Sequence, residues 1–195
     1  MTGRTFLTIP ATVALLAATF VLAGCNDESA TADIPGPIAM TEEAVGHYCN
    51  MNILEHTGPK AQIHIKNLPF PVWFSQVRDA VAFLRLPEET QEPVAIYVND
   101  MGAAKEWSFP GDDTWIDINK AFFVIDSRMI GGMGAPETIP FAEEKAAELF
   151  AAKNGGKVVV LADIPDDYVL GPVDLSALQN AGQNPEGTPE AGAVN

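Results

Sequence analysis

A thiol and a thioether stand two residues apart in Cys49-Asn50-Met51, within a stretch that also carries His47, Tyr48 and His56. The chain has only two cysteines. The other, Cys25, sits where an export signal would consume it, which leaves Cys49 without an intramolecular disulfide partner. A single free thiol is a liability in an oxidising compartment, so its presence there asks for another explanation. Thiolate and thioether are soft, polarisable donors that select Cu(I) over hard cations, and Cu(I) tolerates low coordination numbers. The thiolate would anchor the metal. Thioethers bind more weakly and need no deprotonation, which suits a site that must hand its metal on.

Further thioethers lie far along the chain. Met129 and Met133 flank Ile130-Gly131-Gly132 and precede Gly134-Ala135-Pro136. A glycine-rich loop offers few side chains to bury, so methionines there are poorly explained as core, and its backbone can approach a ligand closely. Met40 and Met101 read as ordinary core filling. Zinc would want about four Cys, His or carboxylate ligands in a closed set. Besides methionine, the soft or borderline candidates are Cys49, His47, His56 and His64, and His64 falls within an alternating strand where a structural role is expected.

Other chemistries find little support. There is no Cys-x-x-Cys for dithiol redox work and no Cys-x-x-Cys-His for haem attachment. Met129-Ile130-Gly131-Gly132-Met133-Gly134 lacks the lysine and the strand-to-helix setting of a phosphate loop. Two alternatives to a metal carrier stay open. One is a Cys49-dependent lyase or hydrolase, for which His47 or His56 could act as base. The other is a lipoprotein that docks a partner without metal.

Residues 1–24 have the form of an export signal: Arg4 supplies positive charge, an apolar run spans Ile9 to Leu22, and Leu22-Ala23-Gly24-Cys25 follows. These last four residues resemble a bacterial lipobox, in which the cysteine is acylated and becomes the mature N-terminus. Such an anchor would hold the protein at a membrane surface, each buried CH₂ contributing about 0.8 kcal/mol. Removing 24 of 195 residues leaves 171, enough for one domain or two small subdomains with a real core. Arg4 leaves with the signal, so 10 basic residues face 26 acids, a formal charge of −16. A chain this acidic should avoid nucleic acid. Residues 25–38 read as a flexible tether and residues 179–195, rich in Gly, Pro, Glu and Asn, as a disordered tail.

The elements that must position these donors follow one order twice. Ala61–Ile65 alternates as a strand, and Val72–Phe74 is a second short strand. Ser75 can cap a helix starting at Gln76, with Val77, Ala80, Val81 and Leu84 on one stripe and Pro87 beyond its end. Val94–Val98 is the third strand. In the second half, Thr114–Asp117 and Ala121–Ile125 read as strands joined by a turn at Asn119-Lys120. A helix is expected from about Phe141 to Lys153, with Ala142, Ala146, Leu149 and Phe150 on one stripe and Gly155-Gly156 at its end. Val158–Leu161 closes the unit. The expectation is an α+β protein of two small ββαβ units, 39–110 and 111–178, each a short sheet covered by a helix.

The lipobox, His47-Tyr48-Cys49-Asn50-Met51-Asn52-Ile53, His56-Thr57-Gly58-Pro59-Lys60-Ala61-Gln62-Ile63 and Ser127-Arg128-Met129 with Gly131-Gly132-Met133-Gly134 together resemble the NosL family. The resemblance covers about residues 45–165. The family commonly has Gly between the Cys and the Met, where this chain has Asn50. The resemblance implies a copper chaperone rather than an enzyme, lipid-anchored at the periplasmic face of a bacterial membrane. It would bind Cu(I) and serve the maturation of nitrous oxide reductase copper centres through a membrane transporter complex. It also implies a fold of two ββαβ units similar to part of the organomercurial lyases. Carried over by position, Cys49 and Met51 are the first ligands, Met129 the next and Met133 after it, with His47 or His56 completing the site.

Overall fold

The computed structural model describes residues 34–173. The lipobox with Cys25, the export segment, most of the tether and the tail from residue 179 lie outside the described residues. Within them the α+β architecture has two antiparallel sheets. Strands β1 (Ala61–Ile65), β2 (Val72–Phe74), β3 (Pro93–Asn99) and β4 (Trp115–Asp117) form the first sheet in the order β2-β1-β3-β4, with helix α1 (Val77–Arg85) between β2 and β3. Strands β5 (Phe122–Ile125), β6 (Ile139–Phe141) and β7 (Lys157–Val160) form the second in the order β6-β5-β7, with α2 (Glu144–Asn154) between β6 and β7. A short helix α3 (Asp166–Leu170) follows. The repeated order is therefore real: β2-β1-β3 and β6-β5-β7 place their first strand centrally in the same way.

Three details differ from the sequence expectation. Residues 114–117 do not open the second unit. Trp115–Asp117 pairs with Asn99, Val98 and Tyr97 and extends the first sheet. The second strand of the second unit is instead Ile139-Pro140-Phe141, where the helix was expected to begin. It is an edge strand, the position at which proline, lacking an N–H, is tolerated. The free carbonyl of Pro140 accepts from Met101 N at 2.8 Å. The helix accordingly starts at Glu144. It turns Ala147 inward and leaves Leu149 66% exposed.

The third difference concerns the tether. Strand β1 is buried along its whole length. Its inward residues Ala61, Ile63 and Ile65 pack on α1, and its other face is covered by the chain segment that was expected to be flexible up to residue 38. Ile38 N donates to Gln62 Oε1 (2.9 Å), Gln62 Nε2 donates to the Ile38 carbonyl (3.0 Å), and Tyr97 OH donates to the Pro35 carbonyl (2.8 Å). His64 lies under the same cover with Nε2 at 3.1 Å from Gln62 Oε1, a structural side chain as its strand setting suggested. Burial lowers its pKa.

One core joins the halves. Ile63, Phe74, Val77, Val81 and Phe83 of the first half meet Ile118, Phe123, Ile164 and Val169 of the second. A separate cluster of Val124, Ile139, Phe141 and Ala147 lies beneath α2. The junction between β2 and α1, with Phe74 and Val77 on either side of it, thus sits on this shared core.

Candidate metal centre

Cys49 stands on a tight loop. Asn50 N donates to the Gly46 carbonyl (2.8 Å), Gly46 N to the Met51 carbonyl (2.9 Å), and His47 N to the Trp73 carbonyl (2.8 Å), which fastens the loop along β2. The loop needs one left-handed residue, and Asn50 supplies it at φ +53°. Glycine and asparagine are the residues that adopt this conformation with least strain. Asn50 therefore adopts here the left-handed conformation that a glycine would also accept. Asn50→Gly is expected to leave stability within about 0.5 kcal/mol of the parent, whereas Asn50→Val should cost about 1–2 kcal/mol; thermal unfolding of the two variants separates the cases.

The Cys49 thiol is half-buried, with Sγ 3.1 Å from Ser75 Oγ. Gly46 leaves room for this pair: a Cβ at that position would stand 2.5 Å from Cys49 Sγ and 2.7 Å from Ser75 Oγ. Ser75 was expected to cap α1. Instead Gln76 occupies the capping position without a side-chain cap bond, and the Ser75 hydroxyl serves the thiol.

The glycine-rich loop arrives at the same junction. Met133 N donates to Gln76 Oε1 at 3.2 Å. Gly132 is wedged so closely that a Cβ there would lie 2.7 Å from His56 Cβ, 2.8 Å from the Thr57 carbonyl and 2.9 Å from the Ser75 carbonyl. Only a residue without a side chain permits this approach. His56 Nδ1 stands 3.0 Å from the Gly132 carbonyl. A carbonyl can only accept, so Nδ1 carries a proton, and in the neutral tautomer that this contact selects Nε2 is the nitrogen with the lone pair. That nitrogen is buried and has no hydrogen-bond partner. Fixing one ring nitrogen on a carbonyl so that the other is left bare is how metal-binding histidines are oriented.

The candidates thus separate. Cys49, His56 and the Met133 loop converge on Ser75-Gln76. Met51 and Met133 are 41% and 39% exposed, so neither is held by core packing. Met129 leans against the cluster under α2. His47 turns toward the rings of Phe74 and Phe83 and, with Nε2 3.6 Å from Glu89, shares that carboxylate with Tyr48, whose hydroxyl donates to it at 3.1 Å. Burial first, and then the bond to Glu89, pushes the Tyr48 phenol up. Among the described residues no three His, Cys, Asp or Glu side chains group as a metal site. A thiol, an imidazole and thioethers together make a soft donor set.

Sequence reading missed a buried acid below this centre. Glu137 is fully buried. Its Oε1 accepts from Arg78 N (2.9 Å) and Thr138 N (2.8 Å), and its Oε2 has no partner. Burial pushes Glu137 up to about 8 against the pull of its two backbone donors, and burial brings Lys60 down to about 8. No local spacing marks Glu137, because its partner lies 59 residues away. The two shifts carry opposite signs. Between about pH 4.5 and 8 the folded state holds a proton on Glu137 that the unfolded state has lost, so this group's contribution falls as pH rises. Between about 8 and 10.5 the unfolded state holds a proton on Lys60 that the folded state lacks, so stability recovers. The pair should place a stability minimum near pH 8. In denaturant titrations across this range, Glu137→Gln should remove the falling limb and leave the rising one.

Comparison with known proteins returns one consistent relationship. The NosL family model matches residues 37–169. A copper-binding lipoprotein NosL from Achromobacter cycloclastes is 50% identical over 166 residues, 85% of this chain and 85% of that one. Another from Stutzerimonas stutzeri is 29% identical over 165 residues, 85% and 83% of the two chains. Among solved structures, the crystal structure of the copper chaperone NosL from Shewanella denitrificans aligns at a TM-score of 0.62 and 32% identity, covering 66% of this chain and 95% of that one.

Proposed function

This chain belongs to the NosL family, and from that membership we propose that it is a lipid-anchored periplasmic chaperone that carries Cu(I) as cargo. Its recipients would be the copper centres of nitrous oxide reductase, reached through the reductase's membrane maturation transporter complex. Binding and release, not turnover, is the activity. The observation that carries the reading is the junction at Ser75-Gln76, which the one thiol of the described residues and the Met133 loop both contact, with His56 held against the same loop at Gly132. This donor set is soft and low in charge, as Cu(I) prefers. The names of the relatives support copper as the metal, and the lipobox at Cys25 supports attachment by acylation. Among the described residues no helix is long and apolar enough to cross a membrane.

The site suits transfer because its donors are unequal. Cys49 would anchor the ion as thiolate on a loop fastened to β2. Met51 and Met133, neutral and partly exposed, would complete the coordination and yield first to an incoming donor. Anaerobic titration of the reduced mature protein against a chromogenic Cu(I) chelator tests this. One ion per chain with sub-micromolar affinity, and an X-ray absorption spectrum dominated by sulfur, is the expected result. Binding no tighter than to a chain with its thiol blocked would overturn it.

A further inference from the structure

The deepest bond at the foot of the loop that carries Met133 is unusual. Helix α1 begins without a side-chain cap of its own, so one of its first amides needs an acceptor from elsewhere. Glu137 provides it. Its carboxyl oxygen Oε1 accepts from Arg78 N at 2.9 Å across 59 residues of sequence. The same residue ends the Met129–Met133 loop: Glu137 N donates to the Met129 carbonyl at 3.4 Å, and an isolated bridge pairs Ile130 with Pro136. The loop is further braced by Gly131 N donating to the Ala135 carbonyl at 2.8 Å and Gly134 N to the Gly131 carbonyl at 2.9 Å. From behind, the Tyr168 hydroxyl holds the Glu137 carbonyl at 2.9 Å. Gly131 lies directly over the acid: a Cβ there would collide with Glu137 Oε2 and stand 2.8 Å from Gln76 Oε1.

We propose that Glu137 is a positioning residue for the metal centre, capping α1 from the opposite half of the fold and so seating the Met133 thioether beside the Cys49 thiol. Its side chain bonds only to the backbone amides of Arg78 and Thr138 and to no candidate ligand. It acts on the backbone that carries one, while Gln76 gives the second hold through Met133 N. The helix start that accepts this cap follows directly on Ser75, which contacts the thiol. One carboxyl group therefore ties the two halves of a split site to a single point. This inference rests on copper being the cargo, and the experiment separates the two claims.

Cu(I) affinity and the sulfur count from X-ray absorption would be measured for the parent, Glu137→Gln, Glu137→Ala and Gly131→Ala, each with and without Met133→Ala. Glu137→Gln keeps an acceptor oxygen for Arg78 N and should bind as the parent does. Glu137→Ala should lose affinity by about 10- to 100-fold, as removal of outer-shell supports does, with one sulfur donor fewer. Gly131→Ala, which keeps the acid but forces the loop away from it, should show the same signature if Glu137→Ala proves too unstable to study. In the Met133→Ala background neither change should cost further affinity. Unchanged affinity and sulfur count in both Glu137→Ala and Gly131→Ala, or losses that simply add to that of Met133→Ala, would overturn the assignment. A parent that binds no Cu(I) would instead refute the function on which it rests.

Discussion

Cys49→Ser should lower Cu(I) affinity by at least about a hundredfold, more than the loss of any supporting residue. The replacement is nearly isosteric but exchanges a soft thiolate for a hard hydroxyl that stays protonated. Ser75 Oγ can bond the new hydroxyl as it does the thiol, so the loop should keep its shape. The side chain is half-buried and contributes little packing, so unfolding free energy should move by no more than about 0.5 kcal/mol. Affinity and stability would then part company, which identifies a ligand rather than a structural thiol. The measurement is chelator competition under anaerobic conditions together with denaturant unfolding of the apo form. Parent-like affinity in the serine variant would place the copper elsewhere.

The largest expected effect on stability belongs to Phe74→Ala. Phe74 is 1% exposed and ends β2 immediately before Ser75. Its ring lies edge-on to Phe83 at 5.5 Å, Tyr48 at 5.6 Å and His47 at 5.7 Å, so it joins the core to the loop that bears the thiol. Emptying such a site typically costs about 3–5 kcal/mol, a large part of the roughly 5–15 kcal/mol by which a domain is stable. The midpoint in urea should fall sharply. In the fraction that remains folded, copper affinity should fall as well, because His47 and Tyr48 lose the surface on which they rest. A loss below about 1 kcal/mol would show that neighbouring rings close over the gap. Phe74→Leu, which keeps most of the volume, should recover most of both properties.

Much of the fold was legible because its signals are local. Alternation in Ala61–Ile65, the short apolar run of Phe122–Ile125, and helical spacing from Val77 to Val81 report burial by a neighbouring layer whatever that layer turns out to be. The choice of partner is not local. Trp115–Asp117 has the residues of a strand but nothing in them that selects β3 over β5. Ile139-Pro140-Phe141 is three residues long with a proline in the middle, acceptable only at a sheet edge, and an edge is a property of the assembled sheet. The segment before residue 39 is polar and short of apolar periodicity, yet Ile38 and Pro35 find acceptors and donors on Gln62 and Tyr97 that exist only once β1 and β3 are paired.

For the site, residue chemistry alone determined the softness of the candidate donors: one thiol, several thioethers and few histidines define a soft set wherever they lie. The departure at Asn50 was also visible, since a short list of residues accepts the left-handed turn the Cys-x-Met loop requires. Which donors meet was decided by tertiary structure. The β2–α1 junction gathers Cys49, His56 and the Met133 loop, sends His47 toward Glu89 and leaves Met129 against the second core. It also recruits Ser75, Gln76 and Glu137, whose roles no spacing announces. The physical reason is range. Donor softness and backbone preference belong to single residues and their neighbours, whereas coordination and capping need groups brought together from positions as far apart as Arg78 and Glu137, and packing of the two halves supplies that closeness.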